Sequence, residues 1–242
     1  MAYQIIIYII FGILPSLVWL AYYLGKDLHP EPKKTILKMF LWGALTTIPV
    51  FFVQIGLMVL LGKISLSPLA TSLIYWFLVI AFTEEFFKFL IVRLKIINSP
   101  DFDEPLDIML YMVVVALGFA ALENILYLFS PATGLSFGEL IQKTLLISFV
   151  RFIGATFLHT LCSAVIGYFL AISLCDKKNR FLETATGVST AVLLHGLYDL
   201  SIMKLEGYAN MIVPVIILLT LAFFTFLGFE KLKKLKSVTL LN

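Results

Sequence analysis

Apolar residues run almost without interruption through most of this chain, broken by short polar loops. A helix that crosses a bilayer needs about 20 consecutive apolar residues. By that criterion the sequence reads as about seven runs, roughly 4–24, 35–61, 69–93, 107–129, 140–174, 184–203 and 210–229. Strands of a membrane barrel would alternate apolar and polar positions, whereas these runs are continuous, so they predict helices. The expected fold is all-α, a polytopic membrane helix bundle with about seven transmembrane helices. No segment between the runs is long and polar enough for a soluble domain, and no internal repeat or low-complexity tract is visible. Residues 1–242 are therefore expected to form a single integral membrane domain.

The exceptions inside the runs carry the chemistry. Glu84, Glu85 and Lys88 interrupt the third, Glu123 and Asn124 the fourth, Arg151 and His159 the fifth, and His195 and Asp199 the sixth. A charged side chain at the bilayer centre costs about 2.5–3.5 kcal/mol even on the lenient insertion scale. Such groups persist where they face one another, water or a metal. One buried polar site is the economical reading, with Glu84, Glu85, Glu123, His159, His195 and Asp199 as candidate catalytic residues and Lys88 and Asn124 in support. Lys88 follows Glu84 by four residues and Glu85 by three, within pairing reach on a helix. Adjacent helical residues point about 100° apart, so one glutamate is expected to face the site and the other to be neutralised by Lys88. His195 and Asp199 are also four apart, a spacing that suits a carboxylate orienting an imidazole or two ligands of one metal. Arg151 lies nearer the end of its run and is expected to snorkel to the headgroups. Ala116, Gly118, Ala120 and Ala121 offer a small-residue face that lets helix backbones approach closely.

Composition agrees with a membrane protein. Of 242 residues 61% are hydrophobic and 14% charged, and mean hydropathy is +1.01. Basic residues collect in alternate loops: Lys26, Lys33, Lys34 and Lys38; Arg93 and Lys95; Lys177, Lys178 and Arg180; and Lys231, Lys233, Lys234 and Lys236 in the tail. The positive-inside rule then puts the N-terminus outside and the C-terminus in the cytoplasm of a multi-pass cell-membrane protein. The net charge of +3 is a topology signal, and nucleic acid is not an expected partner. The first run lacks a basic n-region and a small-residue cleavage site, so it does not read as a signal peptide. Cys162 and Cys175 fall on one predicted helix about 20 Å apart, too far to bridge. The loop from Asp101 to Asp107 lacks the glycine and ligand spacing of a calcium loop and reads as a helix start, where acids are favourable.

Paired carboxylates and imidazoles in one membrane site are hydrolase chemistry. A glutamate can take a proton from water, and histidines can stabilise the oxyanion or protonate the leaving amine. A metal version would use His159, His195 and a carboxylate around zinc, leaving one position for water. No H-E-x-x-H is present, so the cofactor expectation is none or zinc, leaning to none. Buried Glu, Lys and His groups also serve proton-coupled transporters, which remain the alternative from another class. A non-catalytic membrane scaffold ranks behind both.

The blocks Glu84-Glu85-Phe86-Phe87-Lys88, Glu104-Pro105-Leu106-Asp107, Gly118 to Tyr127, His159 and His195-Gly196-Leu197-Tyr198-Asp199 occur in that order. Together they resemble the PrsW family of intramembrane proteases. The loop from Asp27 to Pro32 and Phe40-Leu41-Trp42-Gly43-Ala44 are similar to that family's opening. The wider superfamily includes CAAX-processing prenyl-protein proteases, with E-E-x-x-x-R and F-x-x-x-H patterns. Here Phe89 and Ala155 stand where those patterns place Arg and Phe, which favours the PrsW branch. The resemblance implies proteolysis of a membrane protein substrate, such as an anti-sigma factor.

Overall fold

A computed structural model describes residues 2–26, 29–129, 136–175 and 179–235. The loop residues Asp27, Lys177, Lys178 and Lys236 lie outside the described residues. Among those described, the chain forms nine α-helices and one π-helix, with no strand. They are α1 (Ala2–Leu24), α2 (Lys33–Leu61), α3 (Pro68–Leu73), a π-helix (Ile74–Phe82), α4 (Thr83–Lys95), α5 (Pro105–Leu128), α6 (Phe137–Ile153), α7 (Ala155–Cys175), α8 (Arg180–Lys204) and α9 (Ala209–Leu232). Five helical stretches are long and apolar enough to cross a membrane: Tyr3–Leu24, Lys33–Leu61, Pro105–Leu128, Phe137–Cys175 and Ala209–Leu232. The two apolar runs outside this set, 69–93 and 184–203, are helical as well. They are the ones that carry Glu84, Glu85 and Lys88, and His195 and Asp199.

α5 is the axis of the bundle. Of its apolar stretch 94% is buried, against 17% for α1, 22% for α2 and 33% for α9, whose outer faces are left for lipid. Small residues make this possible. A Cβ added at Gly118 would lie 1.9 Å from the Phe40 carbonyl oxygen, and one at Gly43 would lie 2.1 Å from that of Val115, so α2 and α5 touch backbone to backbone. The small-residue face expected on α5 is in fact part of a helix buried all round from residue 105 to 121, because α1, α2, α4 and α7 all pack on it. Its start follows the sequence. Pro105 opens the first turn, and the Asp107 carboxylate accepts the backbone N–H of Glu104 at 2.7 Å in a capping box.

Two local departures matter to the site. The run 140–174, read as one helix, is two. At about 1.5 Å per residue, 39 residues would reach nearly 60 Å, about twice the hydrocarbon thickness. The chain breaks at Gly154 (φ −93°, ψ −96°), where an added Cβ would sit 2.5 Å from the Tyr198 hydroxyl. α7 alone, with 21 residues, is long enough to span. The second departure is the nine-residue π-helix leading into α4. π geometry in a helix interior is frequent beside functional sites, and here it ends two residues before Glu84.

Candidate active site

Glu84 and Glu85 open α4, Glu123 and Asn124 sit near the end of α5, His159 in the second turn of α7, and His195 and Asp199 in the last third of α8. Antiparallel neighbours thus bring helix starts and helix ends to one level. Glu84 is eleven residues from Lys95, about 17 Å along the axis and near half a bilayer core. The two imidazole rings meet edge to face with centroids 5.1 Å apart.

Glu85 is wholly enclosed and fully engaged. Its Oε1 accepts from Lys88 Nζ at 2.8 Å and from His195 Nδ1 at 2.9 Å, and its Oε2 accepts from the Ser163 hydroxyl at 3.2 Å. Lys88 is equally enclosed. It also donates to His159 Nδ1 at 2.8 Å and lies 4.4 Å over the Phe119 ring. With Nδ1 accepting from the ammonium, the neutral His159 ring carries its proton on Nε2 and offers it to Glu123 Oε2 at 2.8 Å. Because a carboxylate only accepts, His195 donates through Nδ1 and turns Nε2 toward Glu84 and Asp199.

Glu84 is held differently. Its Oε1 accepts from Gln54 Nε2 at 3.2 Å, and Gln54 also touches the Thr83 hydroxyl at 3.3 Å. Its Oε2 is buried and has no hydrogen-bond partner among the described residues. That atom lies 3.8 Å from His159 Nδ1, 3.9 Å from His195 Nε2 and 3.8 Å from Lys88 Nζ. Leaving a buried carboxylate oxygen unsatisfied costs more than a kcal/mol, so something belongs in the gap it faces.

The rim lies beyond the imidazoles. Asp199 Oδ2 is 3.4 Å from His195 Nε2. Arg151 binds Glu123 Oε2 through Nη2 at 2.9 Å and Asn124 Oδ1 through Nε. Asn124 passes on to the Thr156 hydroxyl at 3.0 Å. The side chains of Asp199 and Glu123 are 21% and 20% exposed, while Glu84 is 7% exposed, so the centre opens toward the Asp199–Glu123 rim.

All eight residues singled out in the sequence lie together at this level of the bundle, with Lys88 2.8 Å from Glu85 and 3.8 Å from Glu84. Arg151 corrects an expectation. Only 11% of its side chain is exposed, and it caps Glu123 instead of reaching for headgroups, because the break at Gly154 turns the end of α6 back onto α5. Gln54 and Ser163 were missed. Gln54 is the one amide inside the apolar run 35–61, the kind of anomaly that flagged Glu123. Ser163 carries no such signal, because a serine in a membrane helix is ordinary.

Glu84, His159 and His195 each offer one ligand atom, and these atoms all lie within 4.8 Å of one another. Two imidazole nitrogens and a carboxylate oxygen are a zinc-type donor set in kind, but His159 Nδ1 is already engaged by Lys88.

Residues 31–227 match the family described as PrsW family intramembrane metalloprotease. A protein called Protease PrsW from Geobacillus kaustophilus (strain HTA426) is 34% identical over 199 residues, covering 81% of this chain and 80% of the relative. Others of that name, from Oceanobacillus iheyensis and Bacillus subtilis (strain 168), are 28% identical over 231 residues and 29% over 233. These two alignments cover 96% of this chain each, and 97% and 96% of the relatives. No solved structure matches the chain. The chain belongs to the PrsW family of intramembrane proteases, and to the multi-pass proteins of the cell membrane.

Proposed function

We propose that this PrsW-family protein is an intramembrane endopeptidase in which Glu84, His159 and His195 act on water and a peptide bond of a membrane protein substrate. An anti-sigma factor is the substrate class that the resemblance suggests. The observation carrying the reading is Glu84 Oε2, a buried carboxylate oxygen that has no hydrogen-bond partner among the described residues and faces both imidazoles. A water in that gap would give a proton to Glu84 as its oxygen attacks the scissile carbonyl carbon. The oxyanion so formed would lie against His195, whose Nε2 donates when protonated, with Asp199 supporting that form. The C–N bond then breaks, and Glu84 returns the proton to the leaving amine. His159, fixed between Lys88 and Glu123, holds the other wall of the gap.

In the metal reading Glu84, His159 and His195 hold a divalent ion such as zinc, which would lower the pKa of a bound water and polarise the carbonyl. The family description favours this form. Against it stands the Lys88 hydrogen bond to His159 Nδ1, which uses the lone pair a metal would need. The metal-free form is preferred for that reason.

The proposed topology has about seven crossings within one membrane domain, with the N-terminus outside and the C-terminus cytoplasmic. It rests on the alternation of basic loops. In that frame the rim of Asp199 and Glu123 faces the outer side, from which water would enter. A cysteine placed at Lys63 should label from outside and one at Lys95 from inside; the reverse pattern overturns the orientation. The chemistry is tested by cleavage of a transmembrane substrate in proteoliposomes, with metal content measured on the same sample. Cleavage by metal-free protein supports the glutamate form. Cleavage lost with chelation and restored by zinc selects the metal form. Ion or solute transport without cleavage would replace both.

A further inference from the structure

Away from this centre, α7, α8 and α9 enclose a groove of about 440 Å³, within the ~300–1,000 Å³ of ordinary ligand pockets. Its walls are largely apolar, with Phe169, Leu194 and Leu221 among them, and it runs toward the last turn of α9, which carries Lys231. Four polar residues break its apolar character: Thr190, Thr225, Tyr168 and Lys231. Thr225 is 4% exposed, lines the groove, and its hydroxyl has no hydrogen-bond partner among the described residues, not even the carbonyl one helical turn back. Tyr168 lines the groove and accepts a hydrogen bond at its hydroxyl from Lys231 Nζ at 2.8 Å. Among the described residues no carboxylate pairs with Lys231, whereas neighbouring Lys233 is paired to Glu230 at 3.2 Å.

We propose that this groove holds one acyl chain of an anionic glycerophospholipid, with its phosphate at Lys231 and its ester carbonyl at Thr225. Thr225 and Lys231 are six residues apart on one helix, about 9 Å along the axis. With the lysine folded back onto Tyr168, that spacing suits a phosphate and the acyl ester of the same molecule. The Thr225 hydroxyl, otherwise a buried donor in an apolar wall, finds its acceptor in the ester. Lys231 and Lys234 at the helix end lie on the face expected to be cytoplasmic, where anionic lipid is concentrated. Phe224 and Leu227, at 59% and 45% exposure, flank the groove and leave it open sideways, so a chain can enter from the hydrocarbon.

The test uses the full chain in detergent, titrated with dioleoyl phosphatidylglycerol and dioleoyl phosphatidylcholine and read by native mass spectrometry. Phosphatidylglycerol should bind about five-fold more tightly, the ~1 kcal/mol that one basic side chain contributes near an anionic surface. Lys231→Gln should erase that preference. Thr225→Val, nearly isosteric, should weaken both lipids about three-fold, the net worth of one hydrogen bond. Gly228→Leu should abolish binding. A Cβ there meets Tyr168 Cδ2 and Cγ at 3.2 and 3.5 Å and Met109 Cε at 3.4 Å, so the Tyr168 ring must shift by a few tenths of an ångström, and a melting curve verifies that this variant folds. Unchanged affinity and preference in Lys231→Gln and Thr225→Val, two variants whose folding a melting curve verifies, overturns the site. So does glycerol 3-phosphate binding as tightly as the lipid, or an apolar transmembrane peptide occupying the groove with the lipid unaffected.

Discussion

Glu84 and Glu85 are neighbours on α4, yet they stand on two different sides of the centre. On the Glu85 side every donor and acceptor is matched: Lys88, His195 Nδ1 and Ser163 all point at one carboxylate. On the Glu84 side one oxygen is held by Gln54 and the other faces an opening bounded by two imidazoles. A fully matched buried ion pair rigidifies its surroundings and has no spare valence for a substrate. An unmatched carboxylate next to it is expensive, and that expense is tolerated where chemistry uses it. On the proposed reading the locked side is the frame and the open side is the reagent.

The sharpest way to break this comparison is to change each glutamate to glutamine. Glu84→Gln keeps the shape and the contact to Gln54 but cannot accept a proton from water. Turnover should fall by about 10²–10⁴, the range a general base supplies, with little change in melting temperature. Glu85→Gln should do the opposite, lowering the melting temperature more than it lowers the turnover of the protein that remains folded. Single-turnover cleavage in proteoliposomes alongside thermal unfolding reads both. Near-parental cleavage by Glu84→Gln would falsify the assignment of the base.

Lys88→Met comes next. Removing one partner of an enclosed pair leaves the Glu85 charge without its cation and costs about 3–5 kcal/mol of stability. Adding Glu85→Gln to it should recover part of that loss, because the stranded charge goes too. A double variant no more stable than Lys88→Met alone would show that the lysine acts through His159 and Phe119 instead.

What the sequence made legible follows from cost. Lipid forbids isolated charge, so Glu84, Glu85, Lys88, Glu123, His159, His195 and Asp199 stood out by being where they should not be. Which glutamate faces the gap was not legible, since a 100° difference in direction has no meaning until the helix is rotated against α7 and α8. The single-helix reading of 140–174 failed because one glycine among apolar residues is ordinary in membrane helices. Only the contact with Tyr198 makes Gly154 a turning point. Arg151 was misjudged for the same reason. Its distance from the run's end was visible, but the direction in which the break sends it was not.

On the open side, Arg151→Gln should reduce turnover about ten-fold, through loss of a charge-assisted hydrogen bond near 1.5 kcal/mol that holds Glu123 against His159. Arg151→Lys should rescue only part, because an ammonium cannot reproduce the fork that reaches Glu123 and Asn124 together. Full rescue by lysine would reduce the role to charge alone.

Asp199→Asn should give the smallest effect of the set. The carboxylate is 21% exposed and 3.4 Å from His195 Nε2, a contact weakened by water and by distance. His195 already has its orientation from Glu85, so an amide at 199 removes only the nearby charge that favours a protonated ring. Turnover should fall about three-fold at neutral pH, near 0.7 kcal/mol, and the loss should shrink as the pH is lowered and the ring is protonated without help. That direction is what separates support of a protonated His195 from a packing role, which would give a deficit independent of pH. A variant that instead overtakes the parent as the pH is lowered, because its ring stays neutral where the parent's is protonated, would mean His195 works as a neutral ring, which is what the metal form requires. The pH profile of this one mild variant therefore bears on the choice between the two chemistries without any metal being added or removed.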